Sequence, residues 1–229
     1  MKDAEEVTKC EKILSWMSPG PDSSLDQRTI ASIQKSLSQL QHPNIMTTDL
    51  IVLQSHGCLT VRKLISNGSL KDYIHDTKPK LNYLKKTMKP KNLKNFELNT
   101  IRTLGYQILS TLKFLHEKNL AHGNLHSGNI FIENGKGISG AICISELENY
   151  LIGGSSILRP FIIQLKGPSS SAEAVDVYSF GHLIYEMAVG YPLNNATCDN
   201  AIPNNLPEML SKTLKLHQFL HEIEENEGL

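Results

Sequence analysis

The segment Asp176–Val189 constrains the fold of this chain more than any other part of the sequence. Its side chains are apolar on nearly every side, unlike those of a helix that lies on a protein surface. Such a helix has to be covered all round by other elements, so we expect it to be a buried central helix. Gly190 follows it and is a suitable cap, because glycine readily adopts the left-handed conformation that ends many helices.

Other periodic segments supply the elements that surround this helix. The sequence predicts helices at Leu25–Leu40 and Glu97–Glu117, where apolar residues recur at helical spacing. The first ends at His42-Pro43, because proline stops a helix. A short helix is predicted from Ser69, its N-cap, through Ile74. Strands are predicted at residues 12–16, 45–53, 58–65, 130–132 and 141–144. This mixture of elements predicts an α+β fold.

Composition excludes several classes of protein and partner. The chain has 229 residues with 23 basic and 23 acidic side chains, so no net charge favours nucleic acid as a partner. Its four cysteines are far apart and form no C-x-x-C pair, which is typical of a reduced intracellular protein. The first residues are polar and acidic, unlike a signal peptide, and no apolar run approaches the roughly 20 residues that span a bilayer. We therefore expect a cytoplasmic location, reaching the membrane periphery through a partner.

The stretch His122–Asn129 reads His-Gly-Asn-Leu-His-Ser-Gly-Asn and is followed by the apolar run Ile-Phe-Ile. Its His, Leu and final Asn match the protein-kinase catalytic loop H-R-D-L-x-x-x-N at the same spacing. Gly123 stands at the arginine position of that loop, and Asn124 stands at the position of the catalytic aspartate. The loop therefore resembles a kinase loop without its base.

Further motifs extend this resemblance along the chain. His42-Pro43-Asn44-Ile45, Gly68-Ser69-Leu70 and the helix at Asp176 follow in kinase order, so residues 12–195 resemble a protein kinase from its third strand to its sixth helix. Within kinases, three stretches together resemble the pseudokinase family that contains the PX-domain-containing kinase-like proteins and slowpoke-binding protein. They are His122–Asn129, Glu146-Leu147-Glu148-Asn149 and Phe180–Met187. The resemblance implies a pseudokinase that acts on membrane channels and transporters.

The resemblance also implies how the chain is divided. We expect an incomplete kinase-like fold, with a truncated N-lobe sheet and one helix in residues 1–67. A mainly helical C-lobe, shortened at its C-terminal end, would follow in residues 68–229. Residues 149–172 show no periodicity and are expected to be irregular, and a weak helix is predicted at 207–221. An uncovered sheet edge favours association with a second copy or with a partner.

Roles for individual residues follow from the resemblance. Asp176 would hold the backbone of the loop, with His122 packed beside it. The amide of Asn124 cannot accept a proton at neutral pH, and a general base typically contributes 10²–10⁴-fold to rate. We therefore expect Asn124 to hold the loop through a hydrogen bond and the chain not to be an enzyme. Asn129 and Glu146 stand at the metal-ligand positions, where they would either hold magnesium weakly or make structural hydrogen bonds.

Other parts that phosphoryl transfer needs are missing from the sequence. The strand lysine belongs near Ser15-Trp16, and Lys12 is off register. No acidic residue for the helix glutamate occurs from Thr29 to Gln41, and no glycine precedes Lys12. We therefore expect no cofactor. The alternative is a weakly active or nucleotide-binding switch that uses Asn129 and Glu146 for metal and binds Mg-ATP weakly.

A lysine-rich segment allows two interpretations. Residues 78–94 contain seven lysines, two prolines and no acid. The first interpretation is a solvated, self-repelling loop. The second is a docking patch for an acidic partner or an anionic membrane surface, with Lys85, Lys86 and Lys89 as contact residues. Together with the resemblance, the second implies a non-catalytic scaffold that binds a protein partner, such as a potassium channel or a membrane transporter complex.

Overall fold

The computed structural model describes residues 11–18, 25–54, 57–77, 94–133, 140–163 and 171–194. The strands are β1 Lys12–Met17, β2 Thr48–Gln54, β3 Gly57–Lys63, β4 Ile130–Ile132 and β5 Ile142–Ile144. The helices are α1 Gln27–Ser38, α2 Leu70–Ile74, α3 Leu98–His116, α4 Leu147–Leu151, α5 Arg159–Ile162 and α6 Ala172–Val189. A small sheet with one helix therefore precedes a mainly helical region, which confirms the predicted α+β class.

The small sheet separates a buried face from an exposed one. Its strands are antiparallel in the order β1-β3-β2. Because side chains alternate along a strand, one face is apolar and exposed, and Trp16 of β1 on that face is 54% accessible. The other face carries Ile51, Cys58, Thr60 and Arg62, which are all buried. Helix α1 covers this inner face through Ile30 and Leu37. Within the described residues β1 pairs only with β3, so association through its other edge stays a prediction.

Side-chain caps set the starts of two helices in this region. Asp26 accepts a hydrogen bond from the Thr29 amide at 2.7 Å, so α1 begins at Gln27, two residues later than predicted. The helix ends at Ser38, before the proline that was expected to stop it. At α2, Ser69 and Asp72 form a reciprocal capping box, and the helix predicted from Ser69 through Ile74 is confirmed.

Helices α3 and α6 form the centre of the helical region. They share one core, in which Leu104 and Ile108 of α3 lie with Leu183 and Ile184 of α6. Helix α6 is buried over most of its length, as predicted, and Gly190 ends it at φ 88°. It begins at Ala172 instead of Asp176, because the side chain of Ser171 accepts a hydrogen bond from the Ala174 amide and caps a further turn.

The chain between α1 and β2 joins the small sheet to the helical region. The amide of Ile144 in β5 donates to the Asn44 carbonyl at 2.8 Å, and the amide of Met46 donates to the Ile144 carbonyl at 2.8 Å. The Asn44 side chain donates to the Ile142 carbonyl at 2.8 Å and to the Gln107 side chain at 3.0 Å. The motif His42-Pro43-Asn44-Ile45 is therefore a hydrogen-bonded joint between the two regions.

The prediction that residues 149–172 are irregular is wrong in part. This range holds most of α4, all of α5 and the start of α6. Helices of four or five residues are too short to show an apolar period, and Pro160 fits the first turn of α5, where its missing N–H costs nothing.

Some predictions remain outside what the structure tests. The predicted helix at 207–221 and the lysines at 78–93 lie outside the described residues. The division of the chain at residue 67 stays a prediction. No helix in the described ranges is both long and apolar enough to cross a membrane.

Candidate functional site

The loop His122–Asn129 is anchored by one buried carboxylate of α6. Asp176 accepts hydrogen bonds from the backbone amides of His122 and Gly123, each at 2.8 Å. Its carboxylate also contacts Nε2 of His116, at the end of α3, at 2.9 Å. Asp176 is fully buried, so these donors replace all of its hydration. The structure thus places Asp176 where it can hold the loop against both long helices.

His122 extends this hydrogen-bond network toward β5. Its Nδ1 accepts a hydrogen bond from the Asn124 amide at 3.2 Å, and its Nε2 lies 2.9 Å from the Ser145 carbonyl. An acceptor role for Nδ1 assigns the proton to Nε2, which then donates to Ser145. Burial lowers the pKa of His122, although the charge of Asp176 acts in the opposite direction. His122 is therefore a neutral spacer between the loop and the segment after β5.

Asn124 occupies the position of the base, and its side chain has a structural partner. The Oδ1 atom accepts a hydrogen bond from the Ile157 amide at 3.0 Å, and the residue is buried. An amide oxygen engaged in this way does not take up a proton. The bond joins the loop to the segment that enters α5, and the role of Asn124 in holding the loop stays a prediction.

Gly123, at the arginine position, is required by the backbone and by its surroundings. Its φ is +70°, in the left-handed region, and a Cβ atom there would lie 2.5 Å from Cδ2 of Tyr150. The Tyr150 side chain of α4 thus occupies the space that the Cβ atom of an arginine at this position would need. Only glycine meets both conditions without strain.

The residues predicted to hold metal make contacts within the protein. The Asn129 side chain donates to the Asn124 carbonyl at 3.0 Å. Glu146 has φ +67° and accepts a hydrogen bond from Arg62 Nη2 at 3.3 Å. Among the described residues, no group of three or more His, Cys, Asp or Glu side chains is suited to a metal ion. Metal binding by Asn129 and Glu146 stays a prediction.

Arg62 is the site residue that sequence reasoning missed. It lies on the inner face of β3, donates to Ser15 Oγ of β1 at 3.0 Å, and lies 3.7 Å from the buried Glu148. Glu148 in turn accepts from Thr48 Oγ1 of β2 at 2.8 Å. The available signal was the alternation in β3, which places Arg62 on the same face as Cys58 and Thr60.

The expected lysine–glutamate pair of a kinase is replaced by other contacts. Lys12 forms an ion pair with Asp49 at 2.8 Å. Ser15, near the expected lysine position, contacts Arg62 instead. Gln34, near the expected glutamate position, donates to the Asp49 carbonyl at 3.3 Å. Lys85, Lys86 and Lys89 lie outside the described residues, so the docking prediction is untested.

Two histidines of the loop predict how stability depends on pH. Burial lowers the pKa of His122 and lowers that of His126 to about 4. Below about pH 6.5 the unfolded chain therefore takes up more protons at these sites than the folded chain does. Stability is therefore expected to be complete above about pH 6.5 and to fall as the pH drops toward 4.

Urea unfolding at about pH 7.5, 6 and 5 measures this dependence. The matched variant is His126→Asn, whose Oδ1 can still accept the hydrogen bond that His126 Nδ1 receives from Gly128 at 3.1 Å. We expect a shallower loss of stability in this variant, because it cannot bind the proton. Equal slopes for the two proteins would contradict the assignment to His126.

The geometry agrees with comparisons to known proteins. The protein kinase domain family matches residues 16–227. PX domain-containing protein kinase-like protein of Rattus norvegicus is 36% identical, over 83% of this chain and 32% of its own. Slowpoke-binding protein of Drosophila melanogaster is 37% identical, over 70% of this chain and 30% of its own. Probable inactive serine/threonine-protein kinase slob1 of Dictyostelium discoideum is 26% identical, over 93% of this chain and 39% of its own.

The same fold occurs in a solved structure. A crystal structure of Rad53 in complex with AMP-PNP matches 86% of this chain and 49% of that chain, with a TM-score of 0.54 and 18% identity. This likeness concerns the fold alone. The chain spans about a third of the length of the curated relatives it matches first. The resemblance to the PX-domain-containing kinase-like and slowpoke-binding proteins is confirmed, and the chain belongs to the protein kinase domain family.

Proposed function

We propose that this chain is a catalytically inactive kinase-like module that binds and modulates a protein partner. The observation that carries the proposal is the contact of Asn124. A base must reach the hydroxyl proton of a substrate within about 2.6–3.2 Å. At the base position this chain has an amide whose oxygen is already bonded to Ile157 at 3.0 Å. The loop is therefore a structural element that positions the segment around Ile157.

The names of the relatives support a binding role. One relative is named a slowpoke-binding protein and others are named probable inactive kinases. For this chain we propose a membrane-associated protein partner, either a potassium channel or a transporter complex. The chain itself would be cytoplasmic and would reach the membrane periphery through that partner.

A phosphotransfer assay tests the absence of catalysis. The purified chain is incubated with labelled ATP, magnesium and a generic protein substrate, with an active kinase domain in parallel. We expect no label above background in the substrate or in the chain. Turnover that disappears on Asn129→Ala would overturn the proposal, because it would assign a working metal ligand to that residue.

Binding to native membranes tests the partner and the docking patch. Proteins captured by the chain are identified by mass spectrometry, and we expect a channel or transporter subunit among them. Replacing Lys85, Lys86 and Lys89 by glutamine should weaken this capture and binding to phosphatidylserine vesicles. The difference should vanish near 1 M salt, where the Debye length is about 3 Å.

A matched triple variant tests whether weaker binding comes from the docking patch itself or only from the loss of three positive charges. Replacing Lys35, Lys113 and Lys118, which are exposed, removes the same charge from α1 and from the end of α3. If the two triple variants bind equally, or if replacing Lys85, Lys86 and Lys89 leaves binding unchanged, residues 78–94 are a solvated loop and not a docking patch.

A further inference from the structure

We propose that Arg62 is a built-in cation that takes the place of the metal of active kinases and ties the small sheet to the segment after β5. The inference deepens the proposed function, since a module with its own cation needs no magnesium or nucleotide to hold its two regions together. It concerns binding and stability, whereas the proposed function concerns catalysis and partners.

The contacts of Arg62 span several elements. From β3 its Nη2 donates to Ser15 Oγ of β1 at 3.0 Å and to Glu146 Oε1 at 3.3 Å. Its Nη1 lies 3.7 Å from Glu148 Oε1, and Glu148 Oε2 accepts from Thr48 of β2 at 2.8 Å. One guanidinium thus joins β1, β3 and, through Glu148, β2 to the start of α4.

Burial makes these partners depend on each other. The Arg62 side chain is 6% exposed, that of Glu148 is 0% exposed and that of Glu146 is 29% exposed. Glu148 Oε1 has no hydrogen bond in the described part of the chain, so Arg62 is the cation that compensates its charge. Removing one member of a buried pair leaves the other charge uncompensated, which is strongly destabilising.

The backbone at Glu146 agrees with a fixed contact. Within the described ranges, Glu146 is one of three non-glycine residues with positive φ, at +67°. That conformation costs about 1–2 kcal/mol for most residues and persists only where the surroundings determine it. The bond from Arg62 and the bond from the Asn149 amide to the Glu146 carbonyl at 3.1 Å both hold the residue there.

The residues present do not fit the magnesium ion that the fold family implies. A cation already lies at the Glu146 carboxylate, because Arg62 Nη2 is 3.3 Å from Glu146 Oε1. Magnesium demands near-ideal octahedral geometry from oxygen ligands. To bind at Glu146 Oε1, magnesium would have to displace the buried guanidinium of Arg62. Arg62 therefore competes with metal for the same carboxylate.

Thermal unfolding with and without magnesium and ATP tests the first consequence. A ligand present at about 100 times its Kd would raise Tm by about 5–10 °C. With about 5 mM MgCl2, alone or with equal ATP, we expect a change below about 1 °C in the wild-type chain. A rise of several degrees would overturn the inference, and would leave the proposed function intact if no phosphate is transferred.

A double-mutant cycle tests the second consequence. Arg62→Met should lower Tm by about 6–20 °C, because it leaves Glu148 buried and unpaired. The matched control Lys63→Met, at the neighbouring exposed position, should shift Tm by no more than about 2 °C. The pair Arg62→Met with Glu148→Gln should be more stable than Arg62→Met alone. Additive effects would overturn the inference.

A further variant keeps the test decisive if Arg62→Met does not fold. Glu146→Gln removes the partly exposed carboxylate and should lower Tm modestly, by about 2–6 °C, in the chain without ligand. No loss in Glu146→Gln would overturn the inference.

Discussion

Replacing Asp176 by alanine is expected to lower the free energy of unfolding by about 3–5 kcal/mol. The carboxylate is fully buried and accepts hydrogen bonds from the amides of His122 and Gly123, each at 2.8 Å. Alanine would leave both amides buried without a partner, and each such group costs about 1–3 kcal/mol. The loop would lose its attachment to α6. Urea unfolding at about pH 7.5 measures the change.

Two variants show whether this effect belongs to the loop contacts. Val177→Ala alters the next residue of α6, which is 55% exposed, and is expected to change stability by no more than about 0.5 kcal/mol. His116→Ala removes the partner at 2.9 Å, whose side chain is 24% exposed, and should cost about 1 kcal/mol. A loss in Asp176→Ala no larger than in His116→Ala would contradict the anchoring role.

Restoring the kinase arginine, by Gly123→Arg, is expected to destabilise the chain by about 2–5 kcal/mol. Part of the cost, about 1–2 kcal/mol, comes from a side chain at φ +70°. The rest comes from Tyr150, whose Cδ2 atom would lie 2.5 Å from the new Cβ. Adding Tyr150→Ala should recover the steric part only. Thermal or urea unfolding of the single and double variants separates the two contributions.

Gly105→Ala is the matched glycine control. Gly105 lies inside α3, and a Cβ there would meet Ile184 Cδ1 at 3.5 Å, an ordinary van der Waals contact. Because alanine favours a helix over glycine, this change should stabilise the chain by up to about 1 kcal/mol. If Gly123→Ala were as stable as Gly105→Ala, the requirement for glycine in the loop would be wrong.

Patterns confined to a short stretch of chain predicted the fold well. The apolar period placed α3 and α6, and the N-cap chemistry of Ser69 placed α2. The boundaries shifted where a cap acted that the apolar pattern does not contain, as at Ser171 and Asp26. The short helices α4 and α5 were missed, since four or five residues cannot display a helical period.

The candidate site was predictable in identity but not in its contacts. The loop motif identified Asn124 as the residue in place of the base and predicted that its side chain makes a structural hydrogen bond. It did not reveal that the partner is the amide of Ile157, or that Tyr150 covers Gly123. Ile157 and Tyr150 reach the loop only when the segment after β5 folds against it, and the sequence of that segment shows no apolar periodicity from which this could be predicted.

The sequence by itself determined the class of fold and the match of His122–Asn129 to a kinase loop with Asn124 at the base position, because apolar spacing and motif order are properties of the chain. Only the tertiary structure decided where charge is balanced. Arg62 and Glu146 are 84 residues apart, and no local pattern couples them. They meet because strand alternation turns Arg62 inward and the Asn44–Ile144 joint brings the start of α4 beneath the sheet. Burial then makes each charge require the other.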